Sequence, residues 1–248
     1  MTFKDHFSVQ AADYAKFRPG YPAELFAFLA GVAPDSSVAW DCATGNGQSA
    51  IALAGRFDRV IATDASPKQI ANAQPATGVE YRVARADKSG MKAGSVDLVT
   101  VAQAVHWFDL NTFYAEAKRV LRPRGAIAIW GYNLLHISPG IDAIVNRFYH
   151  EIVGPFWPLE RRLIEHGYEQ LPFPFRELKA PRFEVRARWS LDQLLGYLRT
   201  WSATQRFIAA EKRDPIALIA ADLKRAWEPV QTESKVIWPL TLRVGRIE

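Results

Sequence analysis

Through the first half of the chain, short apolar runs alternate with stretches of helical spacing. Val38-Ala39-Trp40-Asp41, after the turn Pro34-Asp35-Ser36-Ser37, predicts a strand, and the small apolar positions through Ile51, Leu53 and Ala54 predict a helix behind it. Val60 to Thr63, Glu80 to Val83, Val96 to Val101 and Ala126 to Trp130 predict four more strands, with helices over Pro67 to Ala73 and Thr112 to Leu121. This alternation predicts an α/β chain whose parallel sheet is covered by helices on both faces. Ligands of such open sheets bind at the carboxyl ends of the strands.

The rhythm changes after Tyr132. Ile141, Ile144, Val145, Phe148, Tyr149 and Ile152 keep helical spacing until Gly154-Pro155, and Ile216, Ile219, Leu223 and Trp227 repeat it after Asp214-Pro215. Between them Phe183, Val185, Ala187 and Trp189 alternate with Arg182, Glu184, Arg186 and Arg188, a period-two strand. Ser190-Leu191-Asp192-Gln193 has capping-box spacing for a following helix. Val236, Trp238, Leu240, Leu242 and Val244 alternate again, and Pro239 removes a ladder donor there, which predicts a bulge or an edge. The second half is expected to add helices and a closing antiparallel pair to the sheet. The expected organisation is one integrated domain: an N-terminal segment over residues 1–34, a core over 35–131 and a substrate-side half over 132–248.

Composition narrows the classes. The 248 residues are 49% hydrophobic and 23% charged, as in an ordinary globule, and show neither an internal repeat nor a low-complexity segment. No apolar run approaches a membrane span, and the N-terminus lacks the layout of a secretion signal, so a cytoplasmic protein is expected. A net charge of +5 without a dense basic block is compatible with nucleic acid or with small anionic substrates and does not choose between them, and nucleic acid is not the expected partner. The lone Cys42 offers no disulfide and no zinc cluster, and no metal is expected.

The stretch Asp41-Cys42-Ala43-Thr44-Gly45-Asn46-Gly47-Gln48-Ser49-Ala50 lies directly between a predicted strand and a helix, where glycines let a ligand approach bare peptide N–H groups. Gly45-x-Gly47-x-x-Ala50 matches a dinucleotide fingerprint, and Asp64 lies near the distance expected for a ribose-binding acid. The competing ligand is S-adenosylmethionine. A carboxylate at Asp41 repels a pyrophosphate and suits a ligand carrying ammonium and sulfonium charge, which favours the methyl donor.

Asp41-Cys-Ala-Thr-Gly45-Asn-Gly47 resembles the first motif of class I S-adenosylmethionine-dependent methyltransferases, with Ala43 where that motif has its first glycine. Thr63-Asp64-Ala65-Ser66 resembles the family's second acidic motif, Ala86-Asp87 its adenine-side motif, Ser95 to Val99 its fourth strand, and Arg119 to Gly125 its turn into the fifth, with Arg124 where glycine is common. Tyr14 to Pro22 and Gln103-Ala104-Val105-His106-Trp107-Phe108-Asp109 are similar to the branch of trans-aconitate methyltransferases and their small-molecule relatives. The resemblance implies a Rossmann-like, mostly parallel seven-stranded sheet with its last strand antiparallel. It also implies a donor held by Asp41, Ala43, Thr44, Gly45 and Gly47, by Asp64 and Ala65 at the ribose, by Ala86 and Asp87 at the adenine, and by Gln103 and Ala104 beneath the sulfonium.

Catalytic candidates are His106, at the carboxyl end of the fourth strand, and Tyr14 and Arg18 on a segment that the resemblance places over the donor. His106 serves equally as a wall residue, and aromatic neighbours are expected to keep its ring neutral. Arg161, Arg162 and His166 are candidate anion contacts. The expected function is methylation of a small molecule on a carboxylate oxygen, releasing S-adenosylhomocysteine. The alternatives are a dinucleotide-dependent oxidoreductase and a non-enzymatic module that binds S-adenosylmethionine.

Overall fold

Eight strands carry the architecture: β1 (Val38–Cys42), β2 (Arg59–Asp64), β3 (Val79–Val83), β4 (Val96–Ala102), β5 (Leu121–Tyr132), β6 (Arg176–Leu178), β7 (Glu184–Trp189) and β8 (Ser234–Arg246). They are seen in a computed structural model that describes residues 20–227 and 232–247. Seven strands lie side by side in the order β3-β2-β1-β4-β5-β8-β6. β1 to β5 pair in parallel, whereas β8 runs antiparallel to both β5 and β6. This is the mixed, Rossmann-like sheet expected, with its last strand reversed.

β4 sits at the centre and is buried along nearly its whole length, which is why its sequence, Val96-Asp-Leu-Val-Thr-Val-Ala, has no polar face. Its one carboxylate, Asp97, is fully buried and accepts from Arg122 Nη1 at 2.8 and 3.0 Å and from the Val38 amide at 2.8 Å. One side chain thus ties together the starts of β1, β4 and β5. Arg124, at the turn into the body of β5, holds the left-handed torsion usually left to glycine, at φ 63°.

Nine helices surround the sheet among the described residues: α1 (Ala23–Val32), α2 (Gln48–Ala54), α3 (Pro67–Ala71), α4 (Leu110–Val120), α5 (Pro139–Arg147), α6 (Arg161–Glu165), α7 (Leu191–Arg199), α8 (Ser202–Glu211) and α9 (Ala220–Trp227). Leu25, Phe26 and Leu29 of α1 with Ala50 and Leu53 of α2 cover one face of the sheet, against Ala39, Val60, Leu98 and Trp130. Phe113, Ala117 and Val120 of α4 cover the other, against Trp40, Val99 and Ile127. None of the described helices is long and apolar enough to cross a membrane.

The second half builds a separate cluster from Phe148, Tyr149, Trp189, Tyr197, Trp201, Trp227 and Trp238. Its stage is β8, whose first half pairs with β7 while its second half joins the main sheet. Pro239 stands where one pairing gives way to the other, opposite Glu184, so the missing donor falls at the change of partner. The Ser190-Gln193 capping box forms as its spacing predicts. Two helical stretches are less uniform than their spacing. The run from Ile141 to Ile152 is α-helical only to Arg147 and widens into a π turn over Phe148–Ile152, and the run from Ile216 begins as a 3₁₀ turn before α9. α3 also stops at Ala71, two residues short.

Candidate functional site

The loop between β1 and α2 lies at the carboxyl edge of the sheet, and its torsions are set before any ligand is considered. Ala43, Gly45 and Gly47 have φ of 56°, 58° and 90°. Ala43 therefore adopts the torsion of the glycine it replaces, against its own steric preference. A Cβ on Gly47 would overlap the Tyr81 hydroxyl, whereas one on Gly45 would meet nothing within 4 Å. Position 47 needs glycine for space as well as torsion, and position 45 borders open room.

Two carboxylates hold this loop. Asp41 is 1% exposed and accepts from the Thr44 hydroxyl at 2.6 Å and the Thr100 hydroxyl at 2.8 Å. Burial pushes its carboxyl up to about 6, with the two hydroxyls opposing and Asp64 adding to the rise. Among the described residues no cationic side chain pairs with Asp41. Asp64, at the end of β2, accepts from the Gly45 amide at 3.0 Å and the Ser66 amide at 2.9 Å, so it fixes both the loop and the turn containing Ala65. Cys42 is buried, and that burial, reinforced by Asp41 and Asp64, pushes its thiol well up and keeps it protonated. A buried carboxylate with neutral partners beside an open, left-handed loop fits a cationic ligand better than a diphosphate.

Beyond β3 the chain from Ala84 to Met91 is strapped to α4. The buried Glu116 accepts from the Ser89 amide and hydroxyl and from Arg119, and Arg119 also donates to the Met91 carbonyl. This brings Ala86 and Asp87 to the same edge as the loop. The Asp87 carboxylate is occupied by the Arg85 fork at 2.8 and 2.9 Å, so in this state it serves as an ion-paired turn residue.

Past β4 the chain enters a second region. Gln103 takes a left-handed φ of 57°, its amide donating to the Trp130 carbonyl and its side chain to the Tyr132 carbonyl. Ala104 leads into a 3₁₀ turn over Val105–Trp107. Gln103, His106 and Trp107 form one wall of a small cavity. Tyr132 and Asn133 after β5, Trp157, Pro158, Arg161 and Ile164, and Tyr197, Trp201 and Ser202 form the others. His106 is buried, and desolvation, with the nearby Arg161 second, pulls its pKa down to about 3, so the ring is neutral as expected.

Among the described residues Arg161 is the cation of this cavity. Its Nε donates to the Tyr149 hydroxyl at 2.9 Å and its Nη2 to Asn133 Oδ1 at 2.8 Å, while the guanidinium lies 4.9 Å from the Trp157 ring and 5.6 Å from the Tyr149 ring. The π turn presents Tyr149, whose carbonyl accepts from Trp157 and whose hydroxyl donates to Glu165. Among the described residues no carboxylate pairs with Arg161. Arg162 and His166 do not join it: both are exposed, and His166 bonds back to the Arg162 carbonyl. Tyr14 and Arg18 lie outside the described residues. Tyr149 carried only the signal of a helical apolar face, and Tyr168 and Asn133 carried none; each lies far from His106 along the chain, and in the structure the π turn marks Tyr149 and a left-handed torsion marks Tyr168.

A methyltransferase domain model matches residues 40–129, which span the loop, β2 to β4 and most of β5. A candidate methyltransferase of Dictyostelium discoideum is 36% identical over 95% of this chain and 91% of its own length. A solved structure of a candidate type II methyltransferase from Anaeromyxobacter dehalogenans is 45% identical, covers 93% of this chain and 98% of its own, and superposes with a TM-score of 0.87. A phosphoethanolamine N-methyltransferase from Haemonchus contortus, solved with S-adenosylhomocysteine, shares the fold at 16% identity and a TM-score of 0.52, covering all of this chain and 60% of its own.

Proposed function

Because this chain belongs to the class I S-adenosylmethionine-dependent methyltransferases, we propose that it transfers a methyl group to a carboxylate oxygen of a small molecule bound between Gln103 and Arg161. The observation that carries this is Arg161, a half-buried guanidinium in the cavity wall with only neutral partners among the described residues. An unneutralised fork of this kind favours an anionic ligand, and arginine binds carboxylates in a bidentate manner.

The donor side complements it. Asp41, Ala43, Thr44, Gly45 and Gly47 would hold the amino-acid end of S-adenosylmethionine, Asp64 and Ala65 the ribose, Ala86 and Asp87 the adenine, and Gln103 and Ala104 the region of the sulfur. When bound, S-adenosylmethionine supplies a methyl carbon whose bonding pair stays with sulfur, so an acceptor that is already ionised gives up no proton. The protein's task is then alignment, worth about 7 to 11 kcal/mol in well-oriented systems. Arg161 and the aromatic walls fix the acceptor, and Asp41 and Asp64 fix the loop that faces it. Opposite charges cancel in the reaction, and such cancellation is favoured in a low-dielectric setting such as the aromatic walls offer.

A screen of small carboxylic acids, phenols and amines with methyl-labelled donor tests the proposal. The expected product is a methyl ester, recognised by release of its label in mild alkali. Label transferred to phenols or amines and to no acid overturns it.

A further inference from the structure

The structure pairs His106 with a tyrosine that the fold goes to some length to place. Tyr168 is 1% exposed and left-handed, at φ 59°, next to Gly167 at φ 60°. A bulky residue in that region is strained and persists only where its surroundings over-determine it. The surroundings here are specific. The Tyr168 amide donates to the Leu163 carbonyl, its carbonyl accepts from Arg243 at 3.1 Å, and its ring packs on His106 at 6.2 Å. Gly131 leaves the room the phenol needs: a Cβ there would lie 3.0 Å from the Tyr168 hydroxyl and 3.2 Å from Gln103 Oε1.

That hydroxyl has one hydrogen-bond partner among the described residues, His106 Nδ1 at 3.2 Å. Leaving a buried hydroxyl hydrogen without an acceptor is costly, so the hydrogen goes to Nδ1. Nδ1 must then carry the lone pair, and a neutral imidazole with a lone pair on Nδ1 carries its proton on Nε2. His106 borders the cavity, and Nε2 makes no hydrogen bond to any described residue.

We infer that Tyr168 is a positioning residue that locks His106 as the Nε2–H tautomer, so that His106 acts as a hydrogen-bond donor to the acceptor's carboxylate and not as a base. Arg161 and His106 then present donors only, from two walls of one cavity, while Trp107, Trp157 and Trp201 offer flat apolar faces. This combination selects a carboxylate on a planar, apolar body. The inference rests on the methyl-acceptor reading above, but its first test needs no turnover. Neutral burial of the ring, reinforced by the positive field of Arg161, agrees with a group that neither gains nor loses a proton during the reaction.

The test uses the whole protein, with its histidines labelled with ¹⁵N, saturated with S-adenosylhomocysteine and observed by NMR at pH 7.5; His106 is assigned from the signal lost in His106→Gln. The expected spectrum shows a neutral ring protonated at Nε2. Benzoate is expected to shift that resonance saturably, and benzamide at the same concentration to leave it in place. In Tyr168→Phe both tautomers are expected, with benzoate binding weakened at least threefold. His106→Gln, which keeps an amide donor, is expected to hold benzoate within about threefold of the parent, and His106→Leu to lose at least tenfold. A wild-type ring protonated at Nδ1, an equal response to benzoate and benzamide, or equal losses in His106→Gln and His106→Leu each overturn the inference. An Nε2–H ring that responds to benzoate in an enzyme methylating no acid would uphold the donor role and overturn the proposed reaction instead.

Discussion

The sheet half and the C-terminal half of this molecule solve different problems with different residues. Around the sheet the buried positions are mostly Val, Ile, Leu and Ala, and the loop's geometry is set by backbone: three left-handed residues and amides aimed at Asp64. In the C-terminal half nine of the twenty-one buried core residues are Trp, Tyr or Phe, and the cavity it shares with the loop after β4 is defined by side chains. Backbone recognition suits a ligand shared by a whole family, because it depends on a turn and not on particular side chains. Side-chain recognition suits the part of the reaction that differs between relatives.

Stability should expose this contrast most strongly. Trp238 is fully buried between Trp189, Tyr197 and Tyr132, so Trp238→Ala is expected to cost about 3 to 5 kcal/mol in chemical unfolding. Asp97→Ala, which strands Arg122 at the start of the sheet, is expected to cost about 3 kcal/mol, tempered by the partial exposure of that arginine.

Ligand affinity should divide along the same seam. Asp64→Ala is expected to weaken S-adenosylhomocysteine at least tenfold by calorimetry, because the loop loses its anchor and the proposed ribose contact is lost with it. Arg161→Gln is expected to raise the acceptor KM about tenfold while leaving that affinity unchanged. An equal effect of Arg161→Gln on both ligands would mean that the two halves do not divide the labour.

The smallest effect is on pH. Asp41, raised to about 6 by burial, is ionised above that value and neutral below it, so affinity for a cationic donor falls as pH drops through 6. From pH 7.5 to 5.5 the expected loss is about fourfold. For folding the sign reverses. The folded state holds this proton more tightly than the unfolded chain does, so the group's contribution to stability declines as pH rises from about 4 to 6. Unfolding curves across that window, with Asp41→Asn as reference, separate the two.

The sheet half was legible because its signals are local. Apolar runs mark β1, β2 and β4, and the Asp41 to Gly47 turn lies within seven consecutive residues. The rest was harder for equally physical reasons. Ala43 and Arg124 stand where glycine was the signal, and the structure shows them holding glycine's torsion. The π turn at Phe148–Ile152 keeps helical spacing in sequence while re-aiming Tyr149. His106 meets Tyr168 across 62 residues and Asn133 meets Arg161 across 28, separations that no periodicity encodes.

The division of labour comes down to whether the acceptor arrives already ionised, and the pH dependence of kcat/KM for the best carboxylic acid substrate reads that directly. Between pH 6.5 and 9, with donor saturating, the expected profile is flat, since neither His106 nor the acceptor exchanges a proton there. A profile that climbs tenfold per pH unit and then levels, and that flattens in His106→Gln, would make His106 a base and contradict it.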